Sequence, residues 1–445
     1  MKKLNIKQIS TTLNTCTTIP EDVEIDCIVH DSRECELHAD KNILFFAIPG
    51  EHVNGHDFVQ HALSNGASFA VVDHIPKNVS DCSKLIIVDD TIRALDMLGE
   101  YYLTQFDIIK IAVTGSVGKT ITKECIANVL SQKYKVHRSK GNFNTIIGLP
   151  ITIFDIEDEH EITILELGTN HFGEIKTLTK IVKPDIAIIT NIGASHLEFL
   201  HDLKGVFKEK NDIFMQSSDK TLKIFNDTIT FLDSNKGKEH YYSYGFEKNN
   251  DYIVSSITIE NKAFSFLVNE EKFHIHNDVY HNVMNAIPAI IIGKNFGLNK
   301  NLIQKGLSIT PEVNLRMEKK VNTRRNWTII ADCYNANPMS MISALEYLQN
   351  LPHIYKIAIL GNMLELGEFS KKYHEDIGIL VNEMNLYRSI AIGDHAENYN
   401  FLSHYKSAED FISHFSDSKF PDNSAILVKA SRGIALEKIV ERLVT

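Results

Sequence analysis

The chain has 445 residues, 43% of them apolar and 23% charged, with a formal charge of −11 at neutral pH. That length exceeds a single hydrophobic core and predicts two or three domains, while the negative charge opposes nonspecific attraction to nucleic acid or an anionic membrane. Six cysteines (Cys16, Cys27, Cys35, Cys82, Cys125 and Cys333) lack Cys-x-x-Cys spacing and read as reduced thiols of a cytoplasmic protein. No run approaches the ~20 apolar residues of a spanning helix, and no signal-peptide core follows Met1-Lys2-Lys3-Leu4-Asn5.

Residues 1–105 alternate short strands and helices, as a small α/β domain does. Strands are predicted over Asp26–His30, Ile43–Ile48, Phe69–Val72 and Leu85–Val88, with helices over Phe58–Leu63 and Thr91–Tyr102. Pro49-Gly50 and Asn65-Gly66 supply the stops. Asp31-Ser32-Arg33 follows a strand end. Arg33 beside the Ser32 hydroxyl suits a diphosphate or a uracil carbonyl, and equally a surface ion pair.

Residues 106–310 continue the alternation at larger scale. Ile108–Val113 predicts a buried strand, Gly115-Ser116-Val117-Gly118 a tight turn, and Ile121–Leu130 a helix. A glycine turn between strand and helix aims backbone N–H groups at an anion, and the helix dipole adds to the attraction. Lys119 would then reach terminal phosphate oxygens and Thr120 a magnesium ion. Only Gly-x-x-Gly-Lys-Thr of the usual P-loop is present, because Val113 stands where its first glycine belongs.

Beyond this helix, Gly141-Asn142-Phe143-Asn144-Thr145 forms a loop closed by Gly148-Leu149-Pro150. Strands are predicted over Ile162–Gly168 and Ile186–Asn191, the second leading into Gly193-Ala194-Ser195-His196-Leu197-Glu198. Near-continuous apolar strands separated by helices predict a parallel sheet covered on both faces, with ligands at the strand C-terminal ends. Thr120, Glu166 and His196 all follow strand ends, which can gather them around one metal. Magnesium prefers oxygen, so Thr120 and Glu166 suit it best; His196 is either a ligand or a hydrogen-bonded loop histidine. Lys208-Glu209-Lys210-Asn211-Asp212 lies on the next helix, and by composition alone is a solvated charged face. Ser255–Ile259 and Phe264–Val268, broken near Asn261, predict an antiparallel hairpin at the sheet edge. A helix over His281–Asn295 begins with Asn282, placed either to cap it or to meet an adenine edge.

Residues 311–445 carry four predicted strands, Trp327–Asp332, Lys356–Leu360, Ser389–Ile392 and Ala425–Val428, separated by helices in a second doubly wound pattern. Polar clusters follow three of them: Asp332 to Pro338, Gly361 to Gly367 and Lys429 to Gly433. Such clusters at strand C-termini mark a working face.

Six segments together resemble the Mur ligases, in order and across nearly the whole chain. They are Thr-Gly-Ser-Val-Gly-Lys-Thr (114–120), Gly-Asn-Phe-Asn (141–144), Ser-His-Leu-Glu (195–198), His-Asn-Val-Met-Asn-Ala (281–286), Tyr-Asn-Ala-Asn-Pro (334–338) and Met-Leu-Glu-Leu-Gly-Glu (363–368). Asp31-Ser32-Arg33 and Gly55-His56-Asp57 match as well. The resemblance implies an α/β protein of three domains. These are a small N-terminal UDP-sugar-binding domain (1–105), a central P-loop parallel-sheet ATPase domain (106–310) and a C-terminal Rossmann-like domain (311–445).

It also implies an ADP-forming ligase of peptidoglycan precursor synthesis, cytoplasmic and monomeric. ATP would phosphorylate a carboxylate of UDP-N-acetylmuramoyl-tripeptide, and the amine of D-alanyl-D-alanine would capture the acyl phosphate. A paralogue using another nucleotide sugar or amino acid is the alternative. By motif position, Gly115, Ser116, Val117, Gly118, Lys119 and Thr120 hold the phosphates, while Thr120 and Glu166 bind a first Mg2+. His196 resembles a ligand of a second, and Lys210, preferred over Lys208, aligns with a lysine that becomes carbamylated. Asn282 is expected at adenine, Arg316 at the phosphates and Asp332 at the ribose. Substrate contacts fall to Ser32 and Arg33 at the uridine diphosphate end, and to Asn142, Asn144, Asn335 and Asn337. The chain departs from the family pattern at Asn54, Thr145, Leu315, Ala331, Cys333 and Asn362.

Overall fold

Ile109–Thr114 runs through a nine-stranded sheet with Ile111, Ala112 and Val113 wholly buried. The computed structural model describes residues 1–445 except 16, 18–21, 39, 51, 52, 80, 261, 262, 277, 278, 312 and 313; Cys16 and Asn261 therefore lie outside the described residues. From one edge the order is Val136–Arg138, Ile162–Glu166, Ile109–Thr114, Ile186–Ile189, Leu222–Asn226, Tyr241–Gly245, Tyr252–Glu260, Ala263–Val268 and Glu271–Ile275. The first seven are parallel and the last two pair antiparallel. The predicted hairpin is thus present at the edge, extended by one further strand. From Ile109–Thr114 the chain first builds strands on one side, then crosses to Ile186–Ile189 on the other. That reversal opens a crevice at the strand C-termini.

Side chains of a strand alternate between faces, so Ile111 and Val113 enter one core and Ala112 another. Helices Lys119–Leu130 and His281–Asn295 cover the first face with Ile126, Val129, Ile287 and Ile290; Glu174–Val182 and Leu203–Met215 cover the second with Ile175, Leu178 and Ile213. Each fully buried aliphatic side chain contributes about 1.5–3 kcal/mol.

The N-terminal sheet is four parallel strands in the order Cys27–Val29, Ile43–Phe46, Ala67–Val72, Leu85–Ile87. Helix Thr91–Leu103 follows, its start capped by Asp90, whose Oδ1 accepts from the Ile92 and Arg93 amides. Leu95, Leu98 and Tyr102 of this helix share one core with Leu149, Ile153, Leu165 and Ile189 of the central sheet. Tyr102 Oη donates to the Ile156 carbonyl at 2.6 Å and accepts from the Lys2 amide at 2.6 Å.

The C-terminal sheet has six strands in the order Glu318–Asn322, Trp327–Asp332, Ser424–Lys429, Tyr355–Gly361, Arg388–Ile392, Ser403–Tyr405. Only the Glu318–Asn322 edge is antiparallel. One of its cores reaches across to Ala194, Leu197, Leu200 and Val206 of the central unit, which pack with Ile330, Met341, Met363 and Leu366. No helix among the described residues is long and apolar enough to cross a membrane.

Candidate active site

The turn after Ile109–Thr114 is shaped by its two glycines. Gly115 (φ 150°) has no room for a side chain, since a Cβ there would lie 1.9 Å from Thr190 Oγ1. Gly118 (φ 85°) is left-handed and immediately precedes helix Lys119–Leu130. Helix geometry leaves the amides of Lys119 and Thr120 without an i−4 carbonyl, so they face the crevice as donors. The helix begins two residues earlier than the sequence pattern predicts, because Lys119 and Thr120 are themselves its first turn. Ser116 and Val117 line the crevice and also brace the turn. Their amides donate to the Asn191 carbonyl (3.1 Å) and to Asn191 Oδ1 (2.9 Å), so they anchor the turn to the neighbouring strand tip. Lys119 Nζ lies back across the turn and donates to the Gly115 carbonyl at 2.7 Å. Burial holds its pKa below the ordinary lysine value; the Glu166 carboxylate opposes this and Arg316 adds to it.

At the next strand tip Glu166 is buried and accepts from Thr120 Oγ1 (2.9 Å) through Oε2 and from Asn144 Nδ2 (2.9 Å) through Oε1. The loop carrying Asn144 is tied back by the Gly168 amide, which donates to the Asn144 carbonyl at 2.7 Å. The result is a cluster of oxygens at the mouth of the P-loop, the donor type a hard divalent cation prefers.

Lys210 is fully buried on helix Leu203–Met215, and among the described residues its Nζ has no hydrogen-bond partner. Burial pulls its pKa far below the ordinary value, and the Lys119 charge pulls in the same direction. Adjacent Glu209 is consumed by the Gly173 and Ile175 amides and the Thr169 hydroxyl, at 2.6, 2.7 and 3.1 Å. Lys208 is exposed, with Nζ 5.7 Å from the centroid of the Phe172 ring. Of the two lysines, only Lys210 faces inward.

His196 has left-handed backbone (φ 53°), and its Nδ1 lies 2.6 Å from Glu365 Oε2 of the C-terminal domain. Burial lowers the imidazole pKa while Glu365 raises it.

The C-terminal domain brings Arg316, Tyr334, Asp332, Asn335 and Lys429 to the same crevice. The Arg316 guanidinium stacks 4.1 Å from the centroid of the Tyr334 ring. Asp332 Oδ2 accepts from Lys429 Nζ at 2.6 Å in a pair only 11% and 1% exposed, and Lys429 also donates to the Asn335 carbonyl at 3.0 Å. Asp332 Oδ1 accepts from the Met317 amide, which fastens the segment holding Arg316. Asn337 caps helix Pro338–Asn350 by accepting from the Ser340 amide. Asn282 lies inside helix His281–Asn295, where its Oδ1 accepts from Asn285 Nδ2 at 3.0 Å; the residue before the helix is Tyr280, so Asn282 is not its cap.

Two cavities open here. One of about 650 Å³ is lined by residues 116–119, Glu166, His196, Asn282, Arg316 and Asp332, among others. Another of about 760 Å³ is lined by Thr120, Asn142, His196, Arg316, Asn335 and Glu365, among others. Glu166 and His196 thus share a cavity, and Asn144 and Asn337 line it too. Ser32 and Arg33 lie elsewhere, in the N-terminal domain. Arg33 is exposed and bonded to Asp31, whose carboxyl that bond holds down at about 2, and Ser32 is buried. Sequence reasoning placed Asn191 and Lys429 at strand tips without their partners, and missed Asn170, which lines both cavities, the buried role of Glu209 and, as a contact of His196, Glu365. Asn170 stands four residues past Glu166 in Gly168-Thr169-Asn170, the same strand-tip signal that identified the carboxylate.

The chain is similar to known proteins along its length. Residues 24–102 match the Mur ligase family catalytic domain, 113–293 the Mur ligase middle domain, and 315–432 the Mur ligase glutamate ligase domain. The UDP-N-acetylmuramoyl-tripeptide–D-alanyl-D-alanine ligase of Bacillus subtilis (strain 168) is 33% identical over 100% of this chain and 99% of its own. A crystal structure of MurF from Acinetobacter baumannii superposes with a TM-score of 0.89 at 27% identity, covering 100% of this chain and 99% of that one. The MurF ligase of Thermotoga maritima, solved in complex with ADP, gives 0.79 at 27% identity over 93% and 96%. By the matched domains and the full-length relatives, the chain belongs to the Mur ligase family.

Proposed function

We propose that the chain joins D-alanyl-D-alanine to UDP-N-acetylmuramoyl-tripeptide, with ATP cleaved to ADP and phosphate, in peptidoglycan precursor synthesis. The observation that carries this reading is the meeting of a phosphate-binding turn, an oxygen cluster and a second domain's Arg316 in one crevice. Full-length relatives carrying that ligase name support the choice of substrates.

A carboxylate is a poor electrophile at neutral pH, so amide formation requires activation. In this reading the terminal tripeptide carboxylate attacks the ATP γ-phosphorus, ADP departs, and the dipeptide amine then displaces phosphate from the acyl carbon. The burden on the protein is to hold several anionic groups together, which fixed positive charge and oriented amides do best in a site closed to water. Lys119 and the first-turn amides hold the β- and γ-phosphates, while Arg316 approaches them from the C-terminal domain. Asn282 meets the adenine, and Asp332, already fastening Lys429 and the Met317 amide, stands at the ribose. Asn142, Asn144, Asn335 and Asn337 border the substrate side, and Ser32 and Arg33 the uridine diphosphate end.

Thr120 and Glu166 supply adjacent oxygens and fit Mg2+, with His196 facing the acyl-phosphate side as a ligand for a second ion. The metal, when bound, offsets phosphoryl charge and withdraws electrons from phosphorus. Lys210 fits a carbamate: an orphaned buried amine held neutral adds to CO2 and releases a proton, becoming an anionic oxygen donor. In this reading the enzyme acts as a monomer in the cytoplasm.

The test is ADP release with UDP-N-acetylmuramoyl-tripeptide, with and without D-alanyl-D-alanine. Release that requires both substrates is expected. Equal release with unrelated amines, or none with this pair, overturns the assignment.

A further inference from the structure

His196 and Glu365 meet across the boundary between the central and C-terminal domains, and both sit in backbone conformations that L-residues avoid. Their φ values are 53° and 62°. Each such residue costs roughly 1–2 kcal/mol, and two facing one another mark a contact that the surrounding structure enforces. The enforcement is visible. The Glu198 amide donates to the Glu365 carbonyl at 3.1 Å, and a Cβ at Gly367 (φ 54°) would come 3.0 Å from Glu198 Cα. Around this point Leu197 and Leu200 pack with Met363 and Leu366 in one core. Backbone and apolar contacts therefore deliver the Glu365 carboxylate to the imidazole.

The delivery is specific to one ring nitrogen. Nδ1 is buried, and the carboxylate oxygen 2.6 Å away is not in line with the ring N–H, so no straight hydrogen bond forms. Among the described residues no other group bonds Nδ1, which leaves the Glu365 carboxylate as the one placed to accept its proton once the ring turns toward it. A proton kept on Nδ1 by a carboxylate leaves the Nε2 lone pair available, and this arrangement orients metal-bound histidines generally.

We propose that Glu365 is a positioning residue for the ligation reaction: delivered by the docked C-terminal domain, its carboxylate fixes the His196 ring with Nδ1 protonated and Nε2 presented to the crevice. His196 is thereby competent only when the two domains are together. This links acyl-phosphate chemistry to the closed arrangement, in which water is excluded. The inference rests on the role given to His196 above.

Glu365→Ala, Glu365→Asp and Glu365→Gln separate positioning from folding. Truncation to alanine is expected to lower kcat by about 10- to 100-fold with KM for ATP unchanged, since second-sphere partners have effects of that size and the P-loop is untouched. Aspartate, shorter by a methylene, reproduces the loss, while glutamine, with an acceptor oxygen at the original reach, restores most of the rate. Independent of turnover, ¹⁵N spectra of the substrate-free protein, with His196 assigned by its absence in His196→Gln, should show Nδ1 protonated in the wild type and the tautomer balance shifted in Glu365→Ala. An unchanged tautomer in Glu365→Ala, an unchanged kcat, or equal losses in Glu365→Gln and Glu365→Ala would each overturn the proposal. If the wild type turns over neither proposed substrate while the tautomer still responds, the substrate assignment fails and the pairing stands.

Discussion

Thr120 Oγ1 and Glu166 Oε2 lie 2.9 Å apart although they belong to different strand–helix units 46 positions apart in the chain. The parallel pairing of Val113 with Glu166 brings them together. Two oxygens so placed, one of them anionic, are suited to bind a small hard cation in common. Glu166→Gln keeps the shape and the hydrogen bond from Thr120 but removes the charge. Half-saturating Mg2+ for ADP release is expected to rise by about tenfold or more, equivalent to ~1.4 kcal/mol. A magnesium titration that superposes on the wild type would remove Glu166 from the cation site.

Lys210→Ala deletes the buried amine without deleting a hydrogen bond, because its Nζ makes none. Activity is expected to fall by about 100-fold, the scale of losing one preorganised electrostatic group. Acetate or another short carboxylic acid in the vacated space should restore part of it. Exposed Lys208→Ala should be nearly silent. The reverse ranking of the two variants would move the carbamate to Lys208.

Lys429→Met leaves the Asp332 carboxylate buried without its cation. Breaking one side of such a pair costs about 3–5 kcal/mol, whereas replacing both sides with neutral groups is far less damaging. The urea midpoint of the C-terminal domain should therefore drop in Lys429→Met and recover most of the way in the double variant Asp332→Asn/Lys429→Met. Equal midpoints for the single and double variants would show that the pair is not coupled.

Asp96 carries a pH dependence unconnected with the active site. Burial, with a smaller contribution from Asp90, pushes its carboxyl up to about 7, and its Oδ1 has no partner. Above the ordinary carboxylate pKa the unfolded chain ionises freely while the folded chain keeps its proton. Stability is therefore lost as pH rises from about 4 to about 7, and the loss is complete above that. Asp96→Asn should be more stable than the wild type at pH 8 by ~1 kcal/mol after allowance for partial exposure, read as a higher unfolding temperature, with the gain fading toward pH 4. A difference that does not vary with pH would exclude titration of Asp96 as the cause.

The central strands were legible because Ile186–Ile189 is a continuous apolar run and the run 162–165 is broken only by Thr163, both buried on both faces. Val136–Arg138, Leu222–Asn226, Glu318–Asn322 and Ser403–Tyr405 were not, being short and polar enough that neighbouring strands, rather than their own periodicity, decide their conformation. Tip residues such as Thr120, Glu166 and His196 could be read from strand ends. Asn191 and Lys429 stand at strand tips too, but their partners and the buried role of Glu209 could not be read, since only folding brings those groups together. Leu315 shows why a departure need not break a site. It holds the left-handed conformation (φ 56°), one more often taken by glycine, and its amide donates to Glu318 Oε2 at 3.1 Å. Asn362, another departure, accepts from the Ala396 amide at 2.8 Å and braces the sheet.

The single core running from Leu4 and Tyr102 through to Ile189 and Phe225 has a mechanical meaning. Motion between the N-terminal sheet and the P-loop sheet would have to tear this apolar packing, just as motion of the C-terminal sheet would tear the core it shares with Leu197 and Val206. If the sugar nucleotide sits on the N-terminal domain as proposed, its anchor is fixed relative to the P-loop, and a ligand that prises the C-terminal domain away near Glu365 would silence the enzyme without occupying its nucleotide pocket.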